Sequence, residues 1–107
     1  MTDISELAAT QLLALYRRKA VSPVEVLRDA LDRIERFEPS INAFVFVDAD
    51  GAMVAARESE ARWMKGAPLG LTDGLPVTIK DIVDMAGFPN RMGSLTTSPE
   101  PVQGDAP

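Results

Sequence analysis

The sequence predicts an α/β fold, on three observations. Apolar residues recur every three or four positions over residues 3–38, the mark of amphipathic helices. Two short runs, 42–47 and 75–80, are apolar, rich in β-branched or aromatic residues and bounded by turn signals, as strands buried on both faces are. A further helical stretch, 50–65, lies between them, and strand–helix–strand order normally builds a sheet with helical cover. With 107 residues, 46% apolar and 25% charged, the chain has ordinary globular composition and enough apolar surface for one core.

The first helix is predicted over 3–20. Asp3 with Glu6 three positions later is a capping-box pattern, and Ala8, Leu12, Leu15, Tyr16 and Lys19 then form one stripe with Arg17 and Arg18 off it. A second helix is predicted over 22–38, because Ser22-Pro23-Val24-Glu25 combines an N-cap, a proline at the first helical position and a glutamate at the third. Val24, Leu27, Leu31, Ile34 and Phe37 make its buried face, and Pro39 is expected to end it. Core-facing stripes are the usual reason for such paired patterns, ahead of a partner-binding role.

The strand at 42–47 carries Ala43-Phe44-Val45-Phe46-Val47 unbroken by charge, so it needs cover from elsewhere. Asp48 or Asp50 is expected to cap the third helix, 50–65, and Gly66 to terminate it. Ala52, Ala56 and Ser59, leading to Trp63, give this helix a small inward face. Met53, Trp63 and Met64 read as gap-filling core residues rather than a ligand groove. Gly66, Pro68, Gly70, Asp73 and Gly74 form a connector. Their glycine spacing is not a phosphate loop, since no Gly-Lys-Ser/Thr follows and Pro68 interrupts. The second strand, 75–80, ends in Lys80. A turn and a short extended piece follow over 82–89, and 93–107 is an irregular tail with Pro99, Pro101, Gly104 and Pro107. The last strand has no following helix, so the chain reads as truncated. Its exposed sheet edges predict self-association or incomplete folding.

A net charge of -5 argues against nucleic-acid binding, which draws its affinity from clustered Lys and Arg. No apolar run is long enough to span a bilayer, and Met1–Glu6 is acidic rather than a basic leader, so a cytoplasmic location is expected. Cysteine and histidine are both absent. Thiolate nucleophiles, disulfides, His-ligated zinc and Ser-His-Asp catalysis are therefore excluded from these residues. Acid–base work near neutral pH falls to Lys, Asp, Glu or Tyr. Asp81 and Asp84 are too few ligands for a metal site, so neither metal nor cofactor is expected.

Lys80 is the candidate that remains. A lysine taken into a core has its charged form disfavoured, and the neutral amine is a base. From spacing alone, a solvated lysine paired with Asp81 or Asp84 is the commoner meaning of such a position. A resemblance changes that balance. Pro68-Leu69-Gly70 and Gly74-Leu75-Pro76-Val77-Thr78-Ile79-Lys80-Asp81, then Asp84, Gly87, Pro89 and Gly93-Ser94, are similar to the lysine motif of the amidase signature family. Leu12–Tyr16, Ser22–Glu25, Arg33-Ile34-Glu35, Pro39, Ile41–Val45 and Glu58–Trp63 resemble the N-terminal helices and first strand of the same enzymes.

The resemblance implies the N-terminal portion of a mixed sheet covered by helices, in an enzyme that hydrolyses carbon–nitrogen amide bonds. Its catalytic set is a serine nucleophile, a bridging serine in a cis peptide and a lysine base, and Lys80 takes the lysine position. The Gly/Ser-rich stretch that supplies both serines is not among these residues. None of Ser5, Ser22, Ser40, Ser59, Ser94 or Ser98 has its context, so the 107-residue chain alone is expected to be inactive. Asn90-Arg91-Met92 also departs from the Thr and small residues usual before Gly-Ser. Within the family, the alternative to a stand-alone amidase is the glutamine-hydrolysing component of an aminoacyl-tRNA amidotransferase, which implies partner subunits. Outside it, the alternative is a non-catalytic truncated product acting as a binding or assembly module.

Overall fold

The computed structural model describes residues 3–107. By internal contacts these fall into two compact units, the first ending at Pro76 and the second spanning Val77–Pro107. The first is helical. A 3-10 turn, Ile4–Glu6, precedes α1 (Ala9–Arg17), α2 (Pro23–Ile41) and α3 (Ala49–Met64).

The opening residues do not form one helix. Asp3 caps only the short turn, accepting from Ser5 N–H at 3.1 Å, and Leu7 and Ala8 are extended. That break lets Leu7 pack against the cluster of Leu12, Tyr16, Val26 and Trp63. Gln11 then reaches back to Ala8 N–H at 2.7 Å and starts α1. Past Arg17 the chain turns through Lys19 at φ 57°, and Ala20 N–H closes on the Leu15 carbonyl.

At the start of α2 the capping box is complete: Glu25 N–H donates to Ser22 Oγ at 3.2 Å, and Ser22 N–H donates to Glu25 Oε2 at 3.4 Å. Pro39 does not end this helix, which runs on to Ile41. Proline lacks a donor, but the turn is closed around it: Asn42 N–H bonds the Glu38 carbonyl at 2.7 Å, and the Glu38 carboxylate accepts from Ala43 and Phe44 N–H. Asn42, at φ 52°, is the left-handed cap. Burial fades along the helix, from Val24, Val26 and Leu27 inside to Phe37 and Ile41 exposed.

Asp48 caps α3 through Gly51 N–H at 3.1 Å, and Gly66 (φ 70°) lies in the left-handed region past its end. α3 lies against α2. Val24 and Leu27 meet Ala56 there, with Leu31, Ala52 and Met53 around them. The short side chain of Ala56 permits this close approach. The Tyr16 and Trp63 rings meet with centroids 5.7 Å apart, tilted by 50°.

The mixed sheet predicted from the sequence is not formed: there is no strand among the described residues. A strand exists through hydrogen bonds to a neighbour, and neither 42–47 nor 75–80 has such a ladder. Both runs are irregular, and their apolar side chains are largely in solvent, Val45, Phe46, Val77 and Ile79 among them. The second unit has no helix or strand and is held by turns and by carboxylates on backbone amides.

Candidate functional site

Two polar assemblies flank the segment from Gly74 to Asp81 in sequence, one in each unit. In the first unit, Asp73 sits at the end of the glycine-rich connector with its side chain only 5% exposed. Arg62, on α3, donates Nε to Oδ2 and Nη2 to Oδ1, both at 2.7 Å, a two-pronged contact that suits a planar guanidinium. Ser59 Oγ, one turn earlier, donates to Oδ1 at 2.7 Å, and Leu69 N–H donates to Oδ2 at 2.9 Å. The Arg62 bonds, helped by those from Leu69 and Ser59, hold this carboxyl well below the usual carboxylate range.

The backbone beside Asp73 is clamped as well. Trp63 Nε1–H donates to the Asp73 carbonyl at 3.0 Å, and Tyr16 Oη–H donates to the Gly74 carbonyl at 2.8 Å. Burial pushes the Tyr16 hydroxyl up to about 12, so it is a donor at neutral pH. Gly74 has φ +88°, and a Cβ there would stand 2.7 Å from both Pro23 Cγ and Ser59 Oγ. Only glycine fits this position without displacing its neighbours.

In the second unit Lys80 is exposed, and its ammonium forms no ion pair among the described residues. The pairing with Asp81 or Asp84 considered from spacing is not made, because both carboxylates are engaged by other donors. Asp81 accepts from Arg91 N–H at 2.9 Å and Gly93 N–H at 3.0 Å, and its carbonyl accepts from Met92 N–H at 2.8 Å. The Gly93 and Arg91 bonds hold the Asp81 carboxyl below its ordinary value. Asp84 accepts from Asn90 Nδ2 at 2.8 Å.

The tail returns to this turn. Gly87 N–H bonds the Val102 carbonyl, Val102 N–H bonds the Phe88 carbonyl, Ala106 N–H bonds the Asp84 carbonyl, and Ala86 N–H reaches Asp105 Oδ1. Arg91 Nε donates to Thr97 Oγ1 at 3.1 Å.

No serine is hydrogen-bonded to Lys80 among the described residues. Ser94 Oγ pairs with Thr96 Oγ1 at 2.7 Å, and buried Ser59 is committed to Asp73. Neither has the base at hand that a nucleophile needs. Among the described residues no group of three or more carboxylates is placed to hold a metal, and no helix is long and apolar enough to cross a membrane.

Lys80 stood out in the sequence, but the Arg62–Asp73 pair of the first unit and the amide donors to Asp81 in the second did not. Arg62 and Asp73 carried no local signal, being eleven positions apart on a helix and a loop. Asp81 carried none either, since its donors lie ten and twelve positions further along the chain.

Residues 25–107 match the family described as Amidase. Over 94 residues, or 88% of this chain, the sequence is 42% identical to the glutamyl-tRNA(Gln) amidotransferase A-subunit of Acidothermus cellulolyticus. It is 40% identical over the same length to that of Salinispora tropica, and 36% to that of Chloroflexus aurantiacus. Each match covers 19% of the relative, so the chain spans about a fifth of the length of these proteins. No solved structure matches.

Proposed function

The chain belongs to the amidase family, and from that premise we propose that Lys80 is the proton-transferring base of an amide-hydrolysing centre. The observation that carries this reading is the string Gly74-Leu75-Pro76-Val77-Thr78-Ile79-Lys80-Asp81 inside the family match, in a chain with no histidine. A serine hydroxyl attacks an amide carbonyl only when a base takes its proton, and the free amine of lysine is strong enough to do so. In this reading the proton passes from nucleophile to a bridging serine to Lys80. It then returns to the departing amine, while backbone N–H groups stabilise the oxyanion. Both serines and the oxyanion donors come from outside these 107 residues. Residues 42–47 and 75–80 then gain the neighbours that turn apolar, exposed chain into strands of a helix-covered mixed sheet.

The substrate class is a carbon–nitrogen amide. The names of the relatives favour glutamine as the amide source, its nitrogen passing on toward a tRNA-bound glutamyl group with the help of partner subunits. A cytoplasmic location goes with that chemistry.

The test is ammonia release from glutamine and from simple aliphatic amides by an enzyme carrying this segment. Lys80→Met is expected to lower kcat by about a thousandfold or more, the upper part of what general acid–base catalysis supplies. Retention of the wild-type rate by that variant sinks the assignment. The 107-residue chain alone is expected to release none, and hydrolysis by it that Lys80→Met abolishes would overturn the claim that the serines lie elsewhere.

A further inference from the structure

Three consecutive amides, those of Arg91, Met92 and Gly93, converge on one residue, Asp81. Two bind its carboxylate and one its carbonyl. Met92 (φ 50°) and Gly93 (φ 67°) both take left-handed backbone conformations, and successive N–H groups in such turns form a concave anion-binding nest. The anion in this nest is a side chain of the protein itself. It is also the neighbour of Lys80 in the chain. The Arg91 guanidinium donates Nε to Thr97, and the hydrogen bonds on the Asp81 carboxylate come from backbone amides, with the Arg91 charge a smaller contribution.

Asp84, the other acidic group close in sequence, is held by Asn90, and Asp105 takes the Ala86 amide. The carboxylates of Asp81, Asp84 and Asp105 thus each accept a hydrogen bond from a donor other than Lys80. That has a chemical consequence, because a carboxylate free to pair with an ammonium favours the charged amine, whereas a base must present the free one.

Resting on the assignment of Lys80 as the base, we propose that Asp81 is a positioning residue. Bound to the amides of Arg91, Met92 and Gly93, it closes the loop 81–93 and withholds its charge from the adjacent amine. The aspartate that follows the lysine is in this view a backbone lock and not a salt-bridge partner.

The test reads Lys80 without turnover, in the 107-residue chain. Competitive acetylation with acetic anhydride at one mildly alkaline pH reports the fraction of free amine at each lysine, and the chain has two further lysines, Lys19 and Lys65, both exposed, as internal references. Gly93→Pro removes one amide from the nest and cannot adopt its positive φ. It is expected to release the Asp81 carboxylate and lower Lys80 labelling, relative to Lys19 and Lys65, by about threefold or more. Adding Asp81→Asn to that variant is expected to restore the labelling, and Asp81→Asn alone to leave it within about twofold of wild type.

Unchanged labelling in Gly93→Pro overturns the proposal. So does a several-fold rise in Asp81→Asn alone, which would mean that the carboxylate already pairs with the lysine. A second measurement reads the nest itself: in nitrogen-15 NMR spectra the Arg91 and Gly93 amides should shift together as Asp81 is protonated, with a midpoint below that of an ordinary aspartate. Amides that ignore the titration, or follow it at the ordinary value, overturn the nest. Retention of amidase activity by Lys80→Met would remove the catalytic role and leave these readings untouched, so the two failures are separable.

Discussion

Asp73 and Asp81 are both aspartates held below their ordinary titration range, yet they are held in opposite ways. Asp73 is held mainly by side chains, a two-pronged guanidinium and a buried hydroxyl, with one backbone amide from Leu69, beside the clamped backbone of Gly74. Asp81 sits in a nest of backbone amides with no guanidinium on it. The difference teaches what each region is built for. Side chains on packed helices make a rigid anchor that resists solvent, while a turn of amides holds a charge in place and leaves the residue next to it open. The anchor ends at Leu75, whose side chain is partly buried against the Tyr16 and Trp63 cluster, and the open lysine follows five residues on.

The largest effect expected on this contrast comes from Gly74. Gly74→Ala places a Cβ 2.7 Å from Pro23 Cγ and from Ser59 Oγ at a backbone angle that L-residues avoid. Strain and overpacking together are expected to cost about 2–4 kcal/mol, read as a lowered urea midpoint of the first unit. An equal substitution at Gly87, which has the same φ of 88° but nothing within 4 Å of a Cβ, should cost only the conformational part, about 1–2 kcal/mol. Equal costs at the two sites would show that packing around Gly74 is loose and the anchor weaker than described.

The second and third helices were legible in the sequence because their signals are local, whereas the break at Leu7 and Ala8 before α1 was not. Ser22-Pro23-Val24-Glu25 specifies its own cap, and Gly66 its own turn. The sheet was not, since a strand is a relation between segments. Val45 or Ile79 can announce that a neighbour is needed without saying where it is. Pro39 misled for a related reason: its local rule is real, but Glu38 and Asn42 close the turn around it. Lys80 was singled out through the motif it sits in, and its role stays a proposal. Asp73 and Arg62 were invisible because only packing of α3 against the connector makes them a pair.

Acid should separate the two regions further. Asp73 is depressed in the folded state, below an ordinary value of 3.8, so its contribution to stability is complete above that value. It is lost as pH falls through the lower folded value. Protonation then removes the charge from the Arg62 contact inside the anchor. Unfolding midpoints measured from about pH 7 down to about pH 2 are expected to hold nearly level from this group until about pH 4 and then fall. Asp73→Asn should start lower at neutral pH and show a shallower acid limb. A variant with the wild-type acid limb would mean that other carboxylates, Asp81 or Asp3 among them, carry the dependence.

The smallest expected change is the most local probe of the anchor. Tyr16→Phe removes a single hydroxyl from a residue that is 1% exposed and leaves its ring contact with Trp63 in place. What is lost is the bond to the Gly74 carbonyl, worth about 1 kcal/mol, with more at stake if water cannot reach that oxygen. Amide exchange should quicken over 72–75, where Leu75 N–H bonds the Thr72 carbonyl at 3.1 Å. The Arg91 and Gly93 amides, whose bonds lie wholly within the second unit, should keep their wild-type protection. If they quicken too, Asp81's nest depends on the anchor, and the closed side-chain clamp and the open amide nest are one device rather than two.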